Sequence, residues 1–227
     1  MVKKTINLLI SFFILYNCTA QKLVQVQLSQ SNANAVLSIL IENNVYFNIG
    51  VNGNVIEWGV DYGQGRPYYY PGKLDKYMGR VEYYAATDND ALKNKVKYVG
   101  ATAINYYTSS ENDFLAGKIK SIGNTIINYH LAFDEAAIKG KIKSIANTTI
   151  TYYGSFDNEA FKGKLKSIGN TNIGFYAAFE DKAFKGKLKN IGVNNFTYYS
   201  SFDSRFAGAL KAGFQTKLVD GINFIIR

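Results

Sequence analysis

The chain repeats itself, and no other feature narrows its fold as much. The segment Gly117-Lys118-Ile119-Lys120-Ser121-Ile122-Gly123-Asn124-Thr125 returns from Gly140 as GKIKSIANT, from Gly163 as GKLKSIGNT and from Gly186 as GKLKNIGVN. Diverged copies begin at Gly72 (GKLDKYMGR) and Asn94 (NKVKYVGAT), and a truncated copy, GALKAGFQ, begins at Gly208. The central period is 23 residues. A unit of that size is one supersecondary element, and it buries its apolar face only by stacking on its neighbours.

Numbering each unit from its initial Gly as zero exposes the period inside it. Position two is Leu74, Val96, Ile119, Ile142, Leu165, Leu188 and Leu210; position ten is Ile104, Ile127, Ile150, Ile173 and Phe196; position twelve is Tyr106, Tyr129, Tyr152, Phe175 and Tyr198. Position sixteen is Phe133, Phe156, Phe179 and Phe202 in the later units. These positions are all even, which is the period of a strand and not of a helix. The expectation is therefore two strands per unit with the even positions, the four phenylalanines included, on a buried face. Directly paired residues of an antiparallel hairpin share a side. A three-residue loop, Gly123-Asn124-Thr125, or an equivalent bulge at Ile122, sets Ile119 opposite Tyr129 and keeps that parity.

The odd positions then form the second face, and on it lie the candidate binding residues. Lys118 and Lys120, Lys141 and Lys143, Lys164 and Lys166, and Lys187 and Lys189 align from unit to unit. Opposite them run Tyr107, His130, Tyr153, Tyr176 and Tyr199, followed by Glu111, Asp134, Asp157, Glu180 and Asp203. Tyrosine can stack on a sugar ring while lysine holds a carboxylate or phosphate. Both are also ordinary strand-surface residues that pair across strands.

Outside the repeats the patterns differ. Residues 1–20 carry Lys3 and Lys4, an apolar run from Ile6 to Tyr16, and Cys18-Thr19-Ala20, the layout of a secretory signal cut after Ala20. A lipid anchor on Cys18 is the competing reading. Residues 21–71 hold strand-like runs and an Asn52-Gly53 hairpin signal, and read as an N-terminal β cap over the apolar end of the array. Residues 72–207 are the repeats, and residues 208–227 are the partial copy with a closing strand from Gly221 to Ile226. The expected fold is all-β: an elongated antiparallel hairpin array of about six units behind that cap.

The unit resembles the MORN repeat, a β-hairpin of the same length that opens with Tyr-x-Gly-x-Trp. The matching residues are Phe161-Lys162-Gly163-Lys164-Leu165 and Phe184-Lys185-Gly186-Lys187-Leu188, with Asp157 and Glu180 at the acidic position; the Gly-x-Gly of the second strand and the tryptophan are absent. The resemblance covers roughly residues 70 to 212 and implies a groove-like sheet used for protein or lipid-surface contacts, without chemistry of its own.

Catalytic constellations are sparse. His130 is the single histidine, and its unit-equivalents are tyrosines, so it reads as a surface aromatic. Cleavage after Ala20 removes Cys18, the only cysteine. The acidic residues recur once per unit, as turn residues do, with a two-carboxylate hydrolase and calcium ligation as the alternatives. The formal charge is +9; without Lys3 and Lys4 there are 24 basic against 17 acidic residues, or +7. For an exported chain this suits an acidic glycan, an anionic envelope surface or a protein, and not nucleic acid. The expected class is an exported, non-enzymatic binding or scaffold protein with neither cofactor nor metal, a self-associating structural protein being a third possibility. Past residue 20 no apolar run approaches the length of a spanning helix.

Overall fold

The computed structural model describes residues 22–30, 34–41, 44–61 and 73–227. The secretory segment, Cys18 and the start of the Gly72 copy lie outside the described residues. The N-terminal strands are β1 (Lys22–Leu28), β2 (Ala35–Leu40), β3 (Val45–Gly50) and β4 (Val55–Val60). The array is built from β5 (Val81–Tyr83), β6 (Val96–Val99), β7 (Thr102–Tyr106), β8 (Ile119–Ile122), β9 (Thr125–Tyr129), β10 (Ile142–Ile145), β11 (Thr148–Tyr152), β12 (Leu165–Ile168), β13 (Thr171–Phe175), β14 (Leu188–Ile191) and β15 (Asn194–Asn195). It ends in β16 (Thr197–Tyr198) and β17 (Leu210–Ala212), before β18 (Thr216–Val219) and β19 (Ile222–Ile226).

The fold is all-β, as the repeat requires. Strands β5 to β15 form one eleven-stranded antiparallel sheet in strict chain order, each unit contributing one hairpin. A second sheet has the order β18-β19-β1-β2-β3-β4, so it combines both ends of the described chain. The Asn52-Gly53 signal does form the β3–β4 hairpin, with Gly53 left-handed at φ 81°.

The second sheet is not a cap on the end of the array. Its loops and strand ends bond to four successive units: Lys118 Nζ donates to Asn52 O (2.6 Å), Ile142 N to Val51 O (2.7 Å), Thr171 Oγ1 to Asp220 Oδ2 (2.5 Å) and Leu188 N to Gln30 O (2.9 Å). It therefore lies along the apolar face, and the two layers share one core in which Phe47, Phe224, Ile127 and Ile150 are almost wholly buried. The reason is geometric. Stacking satisfies a hairpin only sideways, so an array's entire apolar face needs a cover. The expected closing strand is part of that cover: β19 lies between β18 and β1 and pairs in parallel with β1, from Gln25↔Asn223 to Leu28↔Ile226.

The hairpins also differ from the three-residue loop. Ile122 pairs with Thr125, leaving a two-residue loop, Gly123-Asn124, whose first residue is left-handed at φ 52°. Glycine takes that conformation without a Cβ penalty. Parity is restored elsewhere, by a bulge one residue past position two. Tyr106 pairs with Ile119 and Asn105 with Ser121, so Lys120 is left over. The same bulge leaves out Lys97, Lys143, Lys166, Lys189 and Lys211. Inward parity therefore switches after the bulge, so that Ile122, Ile145, Ile168 and Ile191 at the odd position five are buried, and past the two-residue loop it returns to even positions, as at Thr125 and Thr171 of position eight.

Position sixteen is the other correction. Each second strand ends before it, and the chain turns through residues such as Leu131 to Asp134, where Asp134 N donates to Leu131 O. The period of two no longer applies there. Phe133, Phe156, Phe179 and Phe202 stand in solvent at 84%, 97%, 86% and 95% exposure.

Candidate binding face

The two lysines of each unit have opposite environments, because the bulge separates them. Lysines at position one are drawn inward. Lys118, Lys141, Lys164 and Lys187 each donate to the carbonyl of the initial Gly of the next unit, at Gly140, Gly163, Gly186 and Gly208. Each ammonium also lies over the position-twelve ring of its own unit, 4.8 Å from the Phe175 centroid in the case of Lys164. Lys164 is only 8% exposed. Burial holds Lys118, Lys141 and Lys164 below the usual ammonium range. The expectation that this row lies open beside Lys120 and its equivalents is thus corrected: these four side chains stitch unit to unit.

Lysines at position three face outward. Lys143, Lys166 and Lys189 are exposed and Lys120 partly so. A bulge re-aims the side chain it carries, which is how two lysines two residues apart, a spacing that shares one face of a regular strand, come to point to different sides. Lys120, Lys166 and Lys189 sit 5.7, 5.4 and 5.0 Å from the ring centroids of Tyr107, Tyr153 and Tyr176. Lys97 and Lys211 belong to the same row, over Tyr84 and Tyr199. Their signal in the sequence is position three of the copies at Asn94 and Gly208. Lys120 pairs with Glu111 (2.5 Å) and Lys189 with Glu180 (2.8 Å). The Lys120 hydrogen bond draws the exposed Glu111 carboxyl below its ordinary range.

The tyrosines opposite are half-buried staples and not a flat platform. Tyr153 Oη donates to Ile173 O and Tyr176 Oη to Phe196 O, each twenty residues on. Their rings meet the next unit edge-on: Tyr107 with Tyr129, Tyr153 with Phe175 and Tyr176 with Tyr198, at 5.9 to 6.1 Å. Tyr199 packs on Phe206 at the array's end. His130 takes the same slot against Tyr152, with Nδ1 3.5 Å from Asp134 Oδ2.

Behind them, Tyr129 and Tyr152 donate to Ile119 O and Ile142 O. Burial raises both phenols, and pushes Tyr198 up to about 12. Tyr198 Oη is buried without a bonding partner.

The acidic row is occupied by its own turns. Asp134, Asp157 and Glu180 accept the N–H groups of Leu131, Gly154 and Ala177, three residues back, and Asp203 accepts from Phe206. The next residue along locks units together: Glu135 accepts Ser155 N, Asn158 accepts Ala178 N and Asp181 accepts Ser201 N. Among the described residues no three His, Cys, Asp or Glu side chains gather at a metal-binding distance. A cleft of about 550 Å³ lies near the β5 end between Trp58, Tyr77, Met78 and Tyr83.

Comparison with known proteins gives no match: no family model fits the chain, and no curated protein or solved structure is similar to it.

Proposed function

We propose that this is an exported, non-enzymatic binding or scaffold protein that meets an anionic envelope surface, glycan or protein through its outer lysine row. One observation carries this reading. Lys120, Lys143, Lys166 and Lys189 recur once per hairpin on a face from which the inner lysines have been withdrawn. Two strands separate successive members, so the charges repeat at about 9.5 Å, close to the roughly 8–10 Å screening length of physiological salt. A line of like charges at that pitch adds to its own potential, while the exposed ion pairs of Lys120 and Lys189 contribute little to folding. It is of use to a partner with repeated negative charge.

The hydrolase alternative asks for two converging carboxylates. The recurring acids are instead spent as turn acceptors, one per unit, which favours the non-enzymatic reading. The likeness to the MORN repeat contributes its architecture alone.

The test is a panel of anionic glycans and anionic vesicles probed at low salt. The parent is expected to bind, and the variant K120Q/K143Q/K166Q/K189Q to bind at least about tenfold more weakly with an unchanged melting curve, since exposed charges act collectively and contribute little to stability. Equal binding by the two proteins would reduce the row to a solubility device.

A further inference from the structure

The inter-unit turns carry a feature that neither the core nor the lysine row uses. In each turn the fourth residue donates its N–H to the carbonyl of the first, as from Asp134 to Leu131 and from Asp203 to Ser200. The third residues, in order along the array, are Thr87, Ser110, Phe133, Phe156, Phe179 and Phe202. Thr87 and Ser110 show that the turn itself asks for no ring. Yet four successive units place phenylalanine there, at 84–97% exposure, in a row with a pitch of about 9.5 Å.

Two observations say what covers the row. The first is the absence of a hydroxyl. The chain has 18 tyrosines and uses them elsewhere in every unit, and a phenol at a solvent-facing tip would stay hydrated at no cost. Phenylalanine in all four places suits rings that end inside an apolar contact, where a hydroxyl would lack a partner. The second is charge. The four connections, residues 131–140, 154–163, 177–186 and 200–208, hold five basic and seven acidic residues, while the whole chain is +9. The basic excess therefore lies away from this edge, which suits neither an acidic polymer nor an anionic surface.

We infer that two copies of this chain associate through their phenylalanine rows, antiparallel about a two-fold axis. A row of constant pitch is self-complementary under such an axis, with Phe156 meeting Phe179 of the second copy and Phe133 meeting Phe202, and any copy matches the pitch by construction. Eight rings at roughly 150 Å² each cover about 1,200 Å², the lower bound of a specific interface. The near-neutral edge spares the pair the repulsion that the lysine faces would bring. The resulting particle would carry two outer lysine rows.

Sedimentation velocity over a concentration series tests this, using the protein expressed with its own leader and recovered as the cell processes it. The parent is expected to dimerise; F133S/F156S/F179S/F202S, which installs the residue found at Ser110, is expected to dissociate at least about a hundredfold more readily with its melting midpoint little changed. A parent monomeric throughout the series, or a variant that dimerises like the parent, overturns the inference. Phenylalanine-dependent flotation of a monomeric parent with neutral phosphatidylcholine vesicles would also overturn it, assigning the row to a membrane. None of these outcomes touches the lysine-row test, which is read from separate residues.

Discussion

The two sheets are held together in opposite ways. In the eleven-stranded sheet the bonds between units are short in sequence: 22 residues from Lys164 to Gly186 and 20 from Tyr153 to Ile173. In the six-stranded sheet, Asn223 Nδ2 reaches Gln25 Oε1 across 198 residues. The array is thus wired locally, through contacts that each neighbouring pair of units repeats. Its cover is wired once, through strands from both ends of the described chain, and has no duplicate.

The largest expected effect comes from removing β19, the interior strand that joins β18 to β1 in that cover. Deleting residues 222–227 exposes the partners of Ile222, Phe224, Ile225 and Ile226, all buried. At roughly 1.5–3 kcal/mol per side chain, the loss rivals the whole ~5–15 kcal/mol stability of a domain. Calorimetry should show no cooperative melting transition. An intact transition in the truncated chain would mean that the array stands without its cover, and the comparison would fail.

A smaller effect separates the two lysine rows within the array. Lys164→Gln leaves the Gly186 carbonyl without its buried donor and is expected to cost about 1–3 kcal/mol in urea unfolding. Lys166→Gln, two residues along and exposed, should stay within about 0.5 kcal/mol. Equal costs would erase the distinction drawn by the bulge. The smallest effect lies in a single loop. Ala146 holds φ 48° where Gly123, Gly169 and Gly192 hold 52–54°. Ala146→Gly relieves the left-handed strain of an L side chain and should raise stability by up to about 1 kcal/mol, read from the same urea curves.

The contrast between the sheets also explains what could be read in advance. Period and parity revealed the hairpins because every unit restates them, and positions two, ten and twelve are buried as Ile119, Ile127 and Tyr129 illustrate. The bulge was hidden because it involves two residues facing one across neighbouring units, a relation that no single strand displays. A trace was present: Ile122, Ile145, Ile168 and Ile191 are apolar at an odd position. Carrying an even count past the end of the second strand put Phe133 and its equivalents on the wrong side, since a turn has no period. Half of the expected lysine face survived, and the half that did not was lost to backbone carbonyls that side-chain patterning cannot register. The cover over the array was the least legible part, because the β1–β19 pairing is stated nowhere twice.

The parallel pair has a consequence for the order of events in synthesis. A ribosome makes β1 before the whole array and β19 after it, so while the hairpins emerge β1 has an open edge where β19 belongs. The hairpins can zip as they emerge, each closing over a short span, while part of their greasy side stays bare until β18 and β19 have followed. The exposed intermediate is therefore a finished comb of hairpins with an unfinished lid. A holding chaperone, or delayed folding until release, would protect the molecule at that stage.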